Sequence, residues 1–482
     1  MSTAGTKTYR PWTPELYAQQ AHAPTAKLPD DDLVFFLIDV VPKLDLAEIH
    51  APYQDEARGA PPFDPAMMTC LLLYAYCVGV FSSRKIALAC ERNLAFLAIV
   101  GEERPDFRTI SLFRKNHLEA FAGVFVQVLV LAKAAGLVRL GTIAVDGTKI
   151  QGNASRHKAM SYGYMTQEVG RLRAEIDQLL KQAQDVDAED DAVLGTRRGD
   201  ELPEELRRRQ DRLAAIEAAM KRLEAEAKAA ADAERQRREE AEAQRQRTGT
   251  KRRGRAPGPI VETPAEKAQV NFTEPELSIM KTANKGWDCC GNAQASVDDG
   301  CQIILACEVT AATNDKQQAE PMAQATRSQL DQAEIALPAD ESGARPAIPA
   351  ALDAGYFSAK AVEVLEREGF DPHIATGRQR HHNAANPAAP ESEPAAEPAT
   401  AKEKMQAKLK TPEGGAIYAR RKVIVEPVFG QIKEARGFRR FLLRGLEQIR
   451  GEWRLVCLTH NLLKIWRYGS RVLRGSGCAL IN

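Results

Sequence analysis

Apolar residues recur with helical spacing along the first third of the chain. Leu33, Phe36, Leu37, Val40 and Val41 fall on one helical face. The run from Met67 to Phe81 is almost wholly apolar and follows Pro61, Pro62 and Pro65, which suit the approach to a helix. It is shorter than the roughly 18 residues of a membrane span, so it predicts a buried helix. Ser82 or Ser83 is placed to cap the next helix, and Thr109 or Ser111 the one after, with Leu112, Phe113, Leu118 and Phe121 on its apolar face. Residues 1–30 therefore read as a tail and 31–140 as an all-helical domain. Arg and Lys at its helix starts suit DNA binding and an ordinary charged surface equally well.

The pattern then changes. Thr142–Val145 is a short β-branched run ended by Asp146-Gly147, a turn signal. Ala293–Val297 and Gln302–Val309 read as strands around Asp298-Asp299-Gly300. Ile348–Leu352 is a further strand ending at Asp353-Ala354-Gly355, weakened by Pro349, which cannot donate to a ladder. A helix over 358–369 and a strand at Pro372–Thr376 follow. Strands and helices in this order predict an α/β core in two pieces, 141–165 and 261–379.

Between those pieces, 166–260 carries a heptad seam: Leu206, Leu213, Ile216, Met220, Leu223 and Ala227, with a shorter one at Val169, Leu172, Ile176 and Leu179. An antiparallel helical hairpin is expected, with self-association as the alternative. Its end, 243–255, holds six basic residues and no acidic one, which suits a solvated linker or contact with phosphates. Residues 380–412 are poor in bulky apolar side chains and rich in Pro, Ala and Glu, predicting a mobile or disordered loop. His381 and His382 at its start read as solvated.

Composition narrows the class. The 482 residues carry a formal charge of +1, so any nucleic-acid binding must come from local charge. Nine cysteines without a Cys-x-x-Cys pair argue against a disulfide framework or a zinc site. No signal-peptide pattern opens the chain. A soluble protein of the reducing cytoplasm is expected.

Three acids stand out. Asp146 and Asp353 each follow a strand, where Asp and Gly also belong simply as turn formers. Glu426 follows Val423-Ile424-Val425 and precedes Pro427, an acid near a helix start in apolar company. Phosphodiester cleavage uses an activated oxygen nucleophile and a stabilised leaving oxygen. Two divalent ions about 3.5–4 Å apart can serve both, and Mg²⁺ takes carboxylate ligands while keeping waters. Between Tyr418 and Arg474 the chain holds fourteen Lys or Arg against four Glu, interleaved with aromatics. That excess suits phosphate contacts. Lys433 lies two helical turns beyond Glu426.

These residues sit in long motifs that resemble DDE transposases of bacterial insertion sequences, specifically the insertion sequence 1182 family. The resemblance runs through SSRKIALACERNLAF, RPDFRTISLFRKNHLEAF, VDGTKIQGNASRHKAMSYGYM, NAQASVDDGCQIILACEVTAATND and LDAGYFS to YARRKVIVEPVFGQIKEARGFRRFLLRGLEQIRGEWRLVCLTHNLLKIW. It implies an RNase H-like α/β catalytic core, with the helical insertion between its first and second strands. Asp146, Asp353 and Glu426 match the triad that holds two Mg²⁺ ions, with Mn²⁺ as a substitute. The implied chemistry is cleavage at terminal inverted repeats, then attack of the freed 3′-hydroxyl on target DNA. Lys433 matches the end of the Tyr-Arg-Glu-Lys signature, and Tyr418 with Arg421 its beginning. Lys422, Arg436, Arg439 and Arg440 join them as expected DNA contacts. The implied partners are inverted-repeat and target DNA and, on DNA, further copies of the chain, at the nucleoid and away from membranes.

Two departures are visible. Four residues, not three, separate Arg421 from Glu426, so either Lys422 takes the Arg role or the Tyr418 assignment shifts by one. Cys290-Gly291 replaces an expected Gly and aromatic, which predicts weaker local packing. The alternative function is a decayed or repurposed DNA-binding protein that does not cut.

Overall fold

The structure, a computed structural model, describes residues 27–53, 62–194, 204–249, 256–282, 286–336, 346–377 and 400–469. The histidine pair 381–382 and residues 250–255 of the basic run 243–255 lie outside them.

Six helices of seven or more residues open the described chain: α1 (Leu33–Val40), α2 (Pro65–Cys77), α3 (Ser83–Arg92), α4 (Leu94–Val100), α5 (Phe107–Asn116) and α6 (Phe121–Ala134). Their starts are set by local chemistry. Asp64 caps α2, accepting from the Ala66 and Met67 N–H groups at 2.7 and 3.0 Å. Asp106 caps α5, accepting from Arg108 and Thr109, so neither Thr109 nor Ser111 has the capping role expected of it. Ser82 stands at the cap of α3 without a side-chain bond. The long apolar run is indeed a buried helix, and it stops where Gly79 takes φ +78°. A Cβ at Gly79 would stand 2.6 Å from the Arg436 carbonyl oxygen, so only glycine allows that approach.

The six-stranded sheet is mixed. Its strands are β1 (Ile143–Gln151), β4 (Ser278–Lys281), β5 (Trp287–Asp298), β6 (Ile304–Thr310), β7 (Ile348–Leu352) and β8 (Phe370–Ile374). The long β5 pairs antiparallel with β1 on one edge and with β4 and β6 on the other; β7 and β8 continue beyond β1 in parallel. The β1–β7 register begins at Ala350, one residue past Pro349. Helices α9 (Ala319–Gln332) and α10 (Ala359–Arg367) connect the later strands.

The C-terminal helices are α11 (Ala401–Lys410), α12 (Pro412–Ile424), α13 (Glu426–Gly430) and α14 (Leu446–Lys464). From Thr400 on, the segment assigned to the low-complexity loop is therefore helical, opened by a capping box between Thr400 and Glu403. Helix α14 is the central post. Trp453 is fully buried and its indole N–H donates to the Gln294 carbonyl at 3.0 Å. Asn461 brackets Ile304, bonding both its N–H and its carbonyl at 2.8 Å. Glu452, wholly buried, accepts from the Tyr76 hydroxyl and from the Leu442 and Leu443 N–H groups. One continuous hydrophobic core thus spans α1–α6, the sheet and α14.

The helical hairpin forms as expected. Helix α7 (Tyr162–Leu194) packs on α8 (Glu204–Thr248) through Leu172, Ile216 and Leu223, with Met165 beside them. Arg173–Glu217 and Arg209–Glu175 pairs flank this seam. The chain leaves and re-enters the body through a two-stranded ribbon, β2 (Ala159–Ser161) with β3 (Gln269–Asn271).

Among the described residues, no single helix is long and apolar enough to cross a membrane; α5 and α6 pass such a test only as a pair bent by 79°. The eight described cysteines are free thiols.

Candidate active site

Strand register brings two of the acids together. Val145 on β1 is the parallel partner of Leu352 on β7, so Asp146 and Asp353 are the next residues on neighbouring strands. Such strands lie about 4.8 Å apart. Asp353 ends its strand, but Asp146 does not: β1 runs on to Gln151, paired throughout with β5. The Asp-Gly turn signal is overridden by this long pairing. Glu426 comes from the C-terminal helices, just after α12, which packs against β1 and β7. Pro427, lacking an N–H, breaks the helix between Ile424 and Glu426, so α13 starts at the acid itself.

All three carboxylates face one guanidinium. Arg421 Nη1 lies 2.7 Å from Asp146 Oδ2, and its Nη2 lies 3.5 Å from Glu426 Oε1 and 3.8 Å from Asp353 Oδ1. Exposure separates the pairs. The Arg421 and Asp146 side chains are 12% and 18% exposed, whereas Asp353 and Glu426 are each 50% exposed. The Asp146 pair is thus the desolvated one. Burial pushes the Asp146 carboxyl up to about 6, against the opposing pull of Arg421 and the Gly147 N–H; Asp353 and Asp315 push it further up. Burial works against the Arg421 charge, but the surrounding Asp146, Asp353, Tyr418 and Glu426 outweigh it and hold its pKa above the ordinary value. Tyr418 lies three residues earlier on α12, and its hydroxyl is raised by burial and by Asp353 against the pull of Arg421.

A polar layer that the sequence reading did not single out backs these residues. Asp315 Oδ1 accepts from Asn292 Nδ2 at 2.7 Å and from Gln294 Nε2 at 2.8 Å. Gln294 Oε1 in turn accepts from the buried Tyr356 hydroxyl, next to the Asp353 turn. A Cβ at Gly147 would stand 2.2 Å from Gln294 Nε2, so the Asp-Gly glycine serves a close approach. The signal was present in NAQASVD. Asn292, Gln294, Ser296 and Asp298 alternate along β5 and are all fully buried, an unusual polar face for an interior strand.

The expected DNA contacts divide. Lys433 donates to Thr148 Oγ1 and, at 2.9 Å, to the Lys149 carbonyl, two and three residues past Asp146. Lys422, Arg439 and Arg440 are exposed; Arg439 pairs with Glu434, and Arg440 bonds Gln151 Oε1. Arg436 is different. It is buried against α14, donating to Thr459 Oγ1 at 2.9 Å and to the Val456 carbonyl at 3.0 Å, and burial lowers its pKa to about 10. That guanidinium faces the interior rather than the surface where a phosphate would lie. Of the two candidates for the signature's basic residue, Arg421, not Lys422, faces the acids.

Cys290-Gly291 packs well, contrary to expectation. Cys290 is fully buried, and a Cβ at Gly291 would stand 2.9 Å from Val309 Cγ1 and 3.2 Å from Phe441 Cε2. Phe441 fills the space instead.

As arranged, no three His, Cys, Asp or Glu side chains among the described residues group closely enough to share a metal ion. The donor set nevertheless has the right chemistry: three hard carboxylates converge on one cation, and that cation is Arg421.

Two family models match the chain. Residues 389–466 match a transposase DDE domain, and residues 23–116 match a transposase domain known as DUF772. Together they support a DDE transposase, an enzyme class that acts on DNA. The first match contains Arg421, Glu426 and Lys433, and neither match includes Asp146 or Asp353. Comparison with curated proteins and with solved structures finds no match.

Proposed function

We propose that the chain is an insertion-sequence transposase of the insertion sequence 1182 family, which cuts and joins DNA with Asp146, Asp353 and Glu426 on an RNase H-like core. The observation that carries this reading is the convergence of three acids, from a strand, a strand end and a helix start, on a single positive charge. The mixed sheet, with β7 and β8 parallel to β1, is compatible with such a core.

Asp146 and Asp353 form the rigid half of the site, because strand pairing fixes their spacing. Glu426 closes it from the helix. Bound divalent ions, Mg²⁺ or Mn²⁺, would supply Lewis-acid stabilisation and a more acidic attacking oxygen. Lys433, tied to the β1 backbone, places a fixed positive charge beside the acids for a phosphate to meet. Lys422, Arg439 and Arg440 extend that charge across the surface, and Tyr418 borders it. Inverted-repeat DNA, target DNA and a second copy of the chain are the partners of this reaction, at the nucleoid.

Purified protein with Mg²⁺ should cut duplex DNA carrying the element's terminal inverted repeats. Asp353→Asn should abolish cutting while DNA binding in a gel-shift assay persists. Cutting by that variant at the wild-type rate rules the triad out. The non-cutting alternative drew its support from Cys290-Gly291, which is a packing arrangement and bears on neither reading.

A further inference from the structure

Arg421 occupies a position that the proposed chemistry reserves for something else. Its guanidinium stands among three carboxylates and bonds only one of them closely. Its buried Nε has no hydrogen-bond partner. Arg436 also has an unpartnered Nε, but its two terminal nitrogens each hold a hydrogen bond to α14, whereas only one of those of Arg421 does. Arg421 is instead held firmly by Asp146 and loosely by two half-exposed acids.

We propose that Arg421 is an internal placeholder cation: it holds the three acids together before divalent ions arrive, and on their arrival it turns from the acids to a DNA phosphate. The proposal rests on the triad reading above.

Charge balance gives the direction. Without ions, the guanidinium is the one positive charge bridging the three acids among the described residues, and it offsets their mutual repulsion. Two divalent ions would more than neutralise the carboxylates, and a guanidinium left among them would face like charge. A phosphate of the bound DNA is the nearest available anion, and planar guanidinium suits it. Helix α12 anchors the stem of Arg421 five residues before Glu426, so the exchange needs only side-chain rotation. Tyr418, three residues before Arg421 on the same helix and sensitive to its charge, offers a hydroxyl nearby.

The consequence is thermodynamic. Ion entry frees Arg421 for DNA, and DNA drawing Arg421 away opens the acids to ions, so the two ligands strengthen each other equally. Mn²⁺ binding to the full chain can be read by electron paramagnetic resonance of free Mn²⁺, with and without a duplex taken from the ends of the element. Binding of the same duplex can be read by fluorescence anisotropy, with and without Mn²⁺. In the wild type each ligand should tighten the other, by on the order of tenfold. Arg421→Gln should bind Mn²⁺ several-fold more tightly without DNA, and the coupling should vanish. Arg421→Lys, which keeps the charge, should return Mn²⁺ affinity towards wild type and guards against a Gln variant that fails to fold. Weaker Mn²⁺ binding in folded Arg421→Gln, or unchanged coupling, overturns the placeholder role while leaving the triad intact. Absence of Mn²⁺ binding in the wild type, matched by Asp146→Asn, overturns both.

Discussion

The sheet-centred body and the helical hairpin use charge in opposite ways. In the hairpin, charged residues pair along and across helix surfaces, as in Arg173–Glu217 and Arg222–Glu226, with much of each side chain in water. In the body, individual charges are buried: Glu452 is committed to Tyr76 and two backbone N–H groups and Arg436 to α14, while Arg421 stands against Asp146. A surface pair contributes little because water screens it, whereas a buried charge that loses its partner is costly. The lesson is that a count of basic residues says little about a DNA-facing surface. Within the basic C-terminal stretch, Arg436 faces the interior, Arg421 faces acids, and Arg439 and Arg440 face water.

The sharpest way to break the body is at its post. Trp453→Ala removes the largest fully buried side chain and its bond to Gln294, and should cost about 3–5 kcal/mol of stability in denaturant unfolding. Gly291→Val drives a side chain into Val309 and Phe441, and should cost about 1–3 kcal/mol by the same measurement. An unchanged midpoint would show that Phe441 can yield.

Next in size is an effect of pH. His460 is buried beside Arg436 and Lys464 and bonds the Gln302 carbonyl; burial first, then those charges, hold its pKa well below the ordinary 6.5. The unfolded chain therefore takes up a proton that the folded chain refuses. Stability contributed by neutral His460 is fully present above about pH 6.5 and declines below it, by roughly 1 kcal/mol per pH unit. The buried acids Asp146, Asp298 and Glu452, all pushed up, act in the opposite sense over the carboxylate range. The imidazole effect is thus read as the difference between wild type and His460→Gln in thermal melts from pH 7.5 to 5.5. The smallest effect belongs to the hairpin: Arg173→Ala should change stability by less than about 1 kcal/mol, since its Glu217 partner is solvated. A larger loss would erase the contrast between the two regions.

Much of this was legible in the residues. The seam of the hairpin and the strand at Ile348–Leu352 were legible in the apolar pattern; the apolar run Met67–Phe81 located a helix that spans Pro65–Cys77, and the strand expected at Pro372–Thr376 lies two residues earlier, at Phe370–Ile374. Asp146 misled because Asp-Gly is a turn signal only when no partner strand claims it, and β5 lies about 150 residues away in sequence, a separation local patterns do not see. The bond from Arg421 to Asp146 spans a separation of 275 residues and is equally invisible. The polar face of β5 was visible as strict alternation, but only its burial reveals that it matters. Caps went to Asp64 and Asp106 because a carboxylate one residue before the helix outcompetes hydroxyls already inside it.

The ribbon of β2 and β3 has a consequence for how this chain can be altered. Its strands run antiparallel, with Ala159 opposite Asn271 and Ser161 opposite Gln269, so the chain departs and returns at points about 5 Å apart. The described residues between Tyr162 and Ala268 leave and rejoin the body through this one ribbon. Such a ribbon is a natural splice site: a two-residue turn can close it, or a foreign domain with adjacent termini can be grafted there, without displacing the strand that carries Asp146.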